Sequence, residues 1–84
     1  MKNNLEPLLE KIEINSKVML GKPVIKGTRI PVEIILKKLS QNISVKEILK
    51  DYPQLEQKDI QAALLYAGER IGTEETYLLT EVGV

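Results

Sequence analysis

The chain has 84 residues, 43% of them apolar, with twelve basic and twelve acidic side chains. A chain this short fits one domain and buries only about 60% of its unfolded surface, so we expect a second copy to help stabilise it. It contains no Cys and no His, which excludes disulfides and thiolate metal sites and removes the commonest general base and zinc ligand.

The remaining residue types do not indicate a catalytic site. The candidate groups are scattered carboxylates such as Asp51, Glu56 and Asp59, which have no base partner and no metal-ligand spacing. Two glycine-containing stretches before Pro31 resemble a phosphate-binding loop only superficially, because the order Gly-x-x-x-x-Gly-Lys-Ser/Thr is absent. We therefore expect no enzyme, no cofactor, no metal site and no small-molecule substrate.

The sequence shows neither a membrane span nor a secretory signal. No stretch approaches the roughly 18 consecutive apolar residues that a span needs. The first residues also lack the apolar run of a signal peptide. We expect a cytoplasmic protein that does not contact a membrane.

The charges are unevenly distributed although they sum to zero. Residues 17–38 hold six basic side chains and one acidic side chain, whereas the charged side chains of residues 73–84 are all acidic. A basic block followed by an acidic, apolar tail suggests two different partner surfaces on one chain. Ordinary solvated charge is the alternative interpretation.

Proline and glycine divide the chain into three predicted regions. They are an N-terminal extension over residues 1–11, a helix-turn-helix domain with an N-terminal β-hairpin over residues 12–72, and an acidic, apolar tail over residues 73–84. We expect the first region to end in a short helix over Leu5 to Lys11, with Pro7 tolerated in its first turn.

Short extended segments are predicted before Pro31. Ile12 to Ile14 alternates like a strand. Val24-Ile25 and Arg29-Ile30 flank Lys26-Gly27-Thr28 like the arms of a tight hairpin.

Two amphipathic helices are predicted in the middle of the chain. The first begins at Pro31, whose fixed φ suits the first helical position, and ends near residues 41–42. The second is capped by Ser44, with Glu47 completing a capping box, and ends just before Pro53. Their apolar stripes are Val32, Ile35, Leu36 and Leu39 in the first helix and Val45, Ile48, Leu49 and Tyr52 in the second.

The third predicted helix is the longest. It opens at about Gln57, with Asp59 in its first turn and Glu56 as a weak N-cap. Gly72 is expected to end it in a left-handed cap. The buried stripe should consist of Ile60, Ala63, Leu64, Ala67 and Ile71.

Three amphipathic helices with short joints can bury their stripes only against one another, which predicts a mainly α, three-helix bundle preceded by short β-strands. A short helix, a turn of about four residues and a longer helix form a helix-turn-helix unit, whose second helix enters the major groove of DNA. Its base-facing residues here would be Gln57, Lys58 and Gln61. Gln can pair with adenine and Lys with guanine or phosphate, although both are also common on any exposed helix.

Phosphate contacts would come from basic side chains outside the third helix. The Ser44 hydroxyl and the start of the second helix are possible neutral donors. A single domain should bind DNA weakly, because salt competes with each phosphate contact, and a homodimer would double the contacts. The basic candidates are Lys26, Arg29, Lys37, Lys38 and Lys46.

One string stands out in the N-terminal third, Gly21-Lys22-Pro23-Val24-Ile25-Lys26-Gly27-Thr28-Arg29-Ile30. Together with the first helix and the Tyr52-Pro53 break, it closely resembles the family catalogued as domain of unknown function 433, over roughly Ile12 to Ala67. The resemblance implies a homeodomain-like helix-turn-helix fold. It also implies a VapB-like antitoxin of a type II toxin-antitoxin pair, which neutralises a PIN-like ribonuclease toxin and regulates its own transcription.

The chain departs from the family pattern at two positions of the recognition helix. Glu56 stands where a Ser or Thr cap is usual, and Gln61 stands where a base is frequent. Both differences weaken phosphate attraction, so the resemblance carries over better to the fold than to DNA affinity. Arg29 offers a forked donor that could hold DNA phosphate or, equally, a carboxylate within the dimer.

The alternative function is a protein-interaction or dimerisation module without significant DNA binding. The tail supplies its evidence, because it is apolar and too short to be stable alone. It could cover a toxin groove, the second protomer or its own third helix. The expected partner-binding residues are Tyr77, Leu78, Leu79 and Val82.

Overall fold

Helices make up most of the described chain, which is the backbone of residues 6–81 and the side chains of residues 7–72 in a computed structural model. The predicted mainly α fold, with three helices after short strands, is confirmed. No described helix is long and apolar enough to span a membrane. The elements in chain order are α1 (Glu6–Leu9), β1 (Ile12–Glu13), a 3-10 turn (Met19–Gly21), β2 (Val24–Ile25), α2 (Val32–Ser40), α3 (Val45–Asp51) and α4 (Gln57–Glu81).

The two strands form a small antiparallel sheet, in which Ile12 lies opposite Ile25. The predicted hairpin between Val24-Ile25 and Arg29-Ile30 is confirmed as an isolated antiparallel bridge, between Val24 and Pro31, and the prediction left out β1, which is the partner of β2 in the sheet. Regular antiparallel pairs exchange both backbone hydrogen bonds. Ile25 N–H does donate to Ile30 O at 3.0 Å, but Ile25 O accepts from both the N–H and the hydroxyl of Thr28, at 2.9 and 2.7 Å. These two bonds from Thr28 to Ile25 close a tight loop between the two residues.

The start of α2 differs from the prediction by one residue. Pro31 is the N-cap, with φ −69° and ψ 144°, and not the first helical residue. It forms an isolated bridge with Val24, and the next residue, Val32, donates its N–H to Pro23 O at 2.9 Å. Extended pairing therefore continues to Pro31 and delays the helix.

The Ser44 cap of α3 forms as predicted. Glu47 N–H donates to Ser44 Oγ at 3.1 Å. The Glu47 side chain accepts from the Ser44 hydroxyl at 3.3 Å, whereas a standard capping box would bring it to the backbone N–H of the cap. The helix ends at Asp51, before Pro53.

The core lies between the sheet, α2, α3 and the first half of α4. Its fully buried centre contains Ile25, Ile35, Ile48 and Ile60, each at most 2% exposed. The stripes predicted for α2 and α3 face this core. The buried cluster is Ile25, Ile30, Val32, Ile35, Ile48, Leu55, Ile60 and Ala63.

The predicted stripe of α4 is partly wrong. Leu64 is 50% and Ile71 58% exposed, whereas Ala62 is fully buried. Ala62 lies one turn after Asp59, which contacts Lys11 just beyond α1. Because α1 also packs against α4, the buried face turns towards Ala62 and leaves Leu64 in solvent.

Gly72 does not end α4, so that prediction is also wrong. The helix continues through it to Glu81 and has 25 residues, a length of about 37 Å. Glycine ends a helix when the chain adopts a left-handed conformation there, and residues 73–81 contain no proline to force the chain out of the helix. The helix therefore extends past α2 and α3, which have nine and seven residues.

Candidate nucleic-acid interface

A tight joint leads from α3 into α4. Leu55 N–H donates to Tyr52 O at 2.9 Å, and the Leu55 side chain is only 5% exposed. Leu55 and Ile60 belong to the same core cluster, so apolar burial on both sides of the first turn fixes the direction in which α4 starts. The short helix, the joint and the long helix form the predicted helix-turn-helix order.

The N-terminus of α4 is capped by a residue inside the helix. Glu56 N–H donates to Asp59 Oδ2 at 2.8 Å, while the Glu56 side chain is 75% exposed. The predicted weak cap, Glu56, therefore accepts no cap bond through its carboxylate. Asp59 supplies the reciprocal half of a capping box and places a negative charge where the helix dipole favours one.

Lys11 forms ion pairs with both acidic residues of this cap. Its Nζ lies 3.4 Å from Asp59 Oδ1 and 3.9 Å from Glu56 Oε1. Asp59 is the one buried polar or charged residue of the described chain, at 6% exposure, so the ammonium group compensates a carboxylate that has lost most of its water. Sequence reasoning missed Lys11, since no local pattern links it to α4.

The first turn of α4 presents polar side chains to solvent. Gln57, Lys58 and Gln61 are all exposed, and together with Glu56 they line an open depression of about 470 Å³. The first N–H groups of a helix have no intrahelical acceptor. The three predicted base-contacting residues are thus brought together on one accessible surface.

The Lys26–Arg29 turn lies at the same end of the molecule. Lys26 N–H donates to Lys11 O at 2.7 Å, and the Lys11 side chain reaches Asp59 in the first turn of α4. Both Lys26 and Arg29 are exposed. The Lys26 backbone therefore lies about one lysine side chain away from the first turn of α4, and Arg29 follows in the same tight loop.

Ser44 and Lys46 are not brought to this surface. They lie at the start of α3, whose seven residues separate them from the joint by about 10 Å. The Ser44 hydroxyl already donates to Glu47, so a phosphate contact would have to break that bond. Of the other bases, Lys38 stacks over the Tyr52 ring at 5.7 Å and Lys37 is exposed.

The predicted partner-binding residues lie at or beyond the end of the described part of the chain. Tyr77, Leu78 and Leu79 belong to α4, but their side chains are outside the described ones, and Val82 is outside the described residues altogether. Their contacts stay a prediction. Among the described side chains, no three His, Cys, Asp or Glu residues group in a way that could hold a metal ion.

Three comparisons identify what the chain is similar to. The model of the family described as "Protein of unknown function (DUF433)" matches residues 12–67. A crystal structure of a DUF433 member protein from Anabaena variabilis superposes with a TM-score of 0.71 and 30% sequence identity, covering 87% of this chain and 72% of that chain. An uncharacterized protein from Archaeoglobus fulgidus is 68% identical over 25 residues, which are 30% of this chain and 69% of that protein.

Proposed function

The chain belongs to the DUF433 family of unknown function, and we propose that it binds DNA as a helix-turn-helix protein. The observation that carries the proposal is the exposed first turn of α4, where Gln57, Lys58 and Gln61 share one open surface. Side chains of these types at the start of a recognition helix can reach base edges in the major groove.

The charges beside this turn favour a polyanion moderately. Lys58 lies on it, and Lys26 and Arg29 are exposed in the loop whose Lys26 N–H donates to Lys11 O, but Glu56 is also exposed there. Asp59 is offset by Lys11 and contributes little net field. Few phosphate contacts imply an affinity that is weak for one copy, so two copies bound side by side are part of the proposal.

We extend the proposal to the antitoxin of a type II toxin-antitoxin pair in the cytoplasm. The chain would neutralise a PIN-like ribonuclease toxin and regulate transcription of its own promoter. The family resemblance of the glycine-rich string motivates this step. The continuation of α4 to Glu81 supports it, since the helix carries Tyr77, Leu78 and Leu79, which together with Val82 are the residues proposed to contact the toxin.

Titration against the DNA upstream of its own gene tests DNA binding. Fluorescence anisotropy at low and moderate salt should show binding whose logarithmic affinity falls linearly with the logarithm of salt concentration. Scrambled DNA of the same length should bind more weakly. Absence of any salt-sensitive binding would remove the DNA-binding proposal.

Co-expression with the product of the adjacent gene tests the antitoxin step. The full chain should relieve growth inhibition by the neighbour and be retained with it. A Leu78→Asp/Leu79→Asp double variant should lose both effects, whereas a Thr76→Asp/Thr80→Asp double variant serves as a control of equal added charge. A neighbour that is neither toxic nor retained removes the antitoxin proposal.

The second candidate is a protein-interaction or dimerisation module that does not bind DNA significantly. It is favoured by the exposed carboxylate of Glu56 at the start of α4, because an acidic group beside a recognition helix opposes phosphate. It predicts a specific partner or dimer together with no salt-sensitive DNA binding, so the same titration discriminates between the two functions.

A further inference from the structure

A second surface of the molecule is an apolar groove of about 380 Å³. It is formed where the chain after β1, the loop before β2, α2 and α4 meet. Apolar residues from each of these parts line it, including Ile14, Pro23, Leu36, Tyr66 and Ile71. None of the residues proposed to contact DNA lines this groove.

The groove leaves large apolar side chains in water. Ile14 and Ile71, on two of its sides, are each 58% exposed. Single exposed apolar residues are ordinary, but several around one concave surface mark a site of association. Leu20 and Met19, 93% and 40% exposed, directly precede Gly21, which also lines the groove.

Leu20 is held in solvent by an unfavourable backbone conformation. Met19, Leu20 and Gly21 have φ values of 49°, 57° and 81°, and the left-handed region is costly for residues that carry a Cβ. The Leu20 side chain gains almost no burial in return. Strained residues of this kind cluster at functional sites, and this one exposes an apolar side chain next to the lining of an apolar groove.

The charges at the groove have both signs. Glu33 on α2 and Arg70 on α4 both line it. Glu33 is paired with Lys22 at 2.7 Å, both side chains remaining more than half exposed, and Arg70 lies over the Tyr66 ring at 5.7 Å. A surface that carries an acid and a base on one groove is electrostatically complementary to a copy of itself related by a twofold axis.

We propose that this face is the homodimer interface of the protein. Leu20 of each copy enters the groove of the other copy, and Glu33 of each copy faces Arg70 of the other. The proposed DNA-binding function requires a dimer but does not name its surface. The groove face would be that surface, and the dimer would form through it whether or not the protein binds DNA.

The positions of the projection and the groove favour a closed pair of copies. The projection begins at the groove lining, because Leu20 directly precedes Gly21. One twofold rotation therefore satisfies both contacts at once, as an isologous interface requires.

Sedimentation equilibrium of the full chain over a wide concentration range tests the interface. The wild type should be dimeric, and Leu20→Glu should raise the dimer Kd at least roughly tenfold, as expected for a central apolar contact. Leu20→Gly should also weaken the dimer while relieving the backbone strain, so loss of folding cannot explain the result. Gln54→Glu, at an exposed position of the joint between α3 and α4 that does not line the groove, adds the same charge as a matched control and should leave the Kd unchanged.

A charge exchange tests the pairing across the twofold axis. Glu33→Arg alone and Arg70→Glu alone should each weaken the homodimer, because like charges then face each other. An equimolar mixture of the two variants should form heterodimers in which both pairs are opposite in sign. Recovery of dimer in the mixture supports the interface.

Several outcomes would overturn the inference. They are a wild type that stays monomeric, a dimer insensitive to Leu20→Glu, and a mixture of the charge variants that does not recover. Failure to bind DNA by a protein that remains dimeric would remove the proposed function and leave the interface intact. Capture of the toxin by this groove in a monomeric chain would also refute the dimer.

Discussion

Lys11 and Asp59 form an ion pair with 3.4 Å between Nζ and Oδ1, although they lie at opposite ends of the folded core in the sequence. Asp59 in turn accepts the Glu56 N–H at 2.8 Å. The pair joins the N-terminal segment to the first turn of α4. The orientation of that turn therefore depends on residues before β1 as well as on the joint from α3.

Replacement of Asp59 should destabilise the fold. Asp59→Ala removes the acceptor for the Glu56 N–H and leaves Lys11 without its buried partner, at a cost of about 1–3 kcal/mol in the free energy of unfolding. Urea denaturation followed by circular dichroism measures it. Asp51→Ala, at an exposed position, should change the free energy by no more than about 0.5 kcal/mol. Equal effects of the two substitutions would contradict the cap.

Alanine should have opposite effects at two glycines that both have open space around them. Gly27 has φ +81° and no atom within 4 Å of an added Cβ, so Gly27→Ala introduces backbone strain alone and should cost about 1 kcal/mol. Gly68 lies within α4 with equally open surroundings. Gly68→Ala should stabilise the helix by up to about 1 kcal/mol. Thermal unfolding of both variants checks the signs.

Two adjacent isoleucines of α2 should respond differently to truncation. Ile35 is fully buried and Ile34 is 36% exposed. Ile35→Ala removes packed methyl groups and leaves a cavity, which should cost about 2–5 kcal/mol. Ile34→Ala should cost clearly less. A reversed order in denaturant unfolding would show that α2 faces the core with a different side.

Lys58 should contribute to DNA binding as a phosphate or base contact. Lys58→Ala should weaken binding and reduce the slope of logarithmic affinity against logarithmic salt by about one. Lys17→Ala removes the same charge from a loop near the groove and should change the slope less. If both variants shift the slope equally, the basic block attracts DNA through its general field and the first turn of α4 has no special role.

Local signals predicted α2, α3 and the start of α4. The apolar stripes and the Ser44–Glu47 cap involve residues at most one or two turns apart, so their physics is contained within each segment. The exposure of Gln57, Lys58 and Gln61 followed from the same periodicity. These parts of the fold and of the candidate site were therefore accessible from the sequence.

Contacts between distant segments account for the errors. The rotation of α4 that buries Ala62 and exposes Leu64 depends on α1, and the pairing of β2 depends on β1. Nothing in the local sequence of α4 or β2 identifies α1 or β1 as the element that packs or pairs with it. Gly72 was misjudged because a glycine signals a helix end only together with the chain that follows it.

The length of α4 has a consequence for the DNA sequence that the protein would select. Gln57 and Ile71, at the recognition turn and the groove, are separated by fourteen positions on one straight rod, or about 20 Å. Two copies joined at their grooves would hold their recognition turns up to about 40 Å apart, which accommodates the roughly 34 Å between successive major grooves on one side of the duplex. The helix would then act as a ruler, and the preferred operator would be an inverted repeat with its half-sites one helical turn apart.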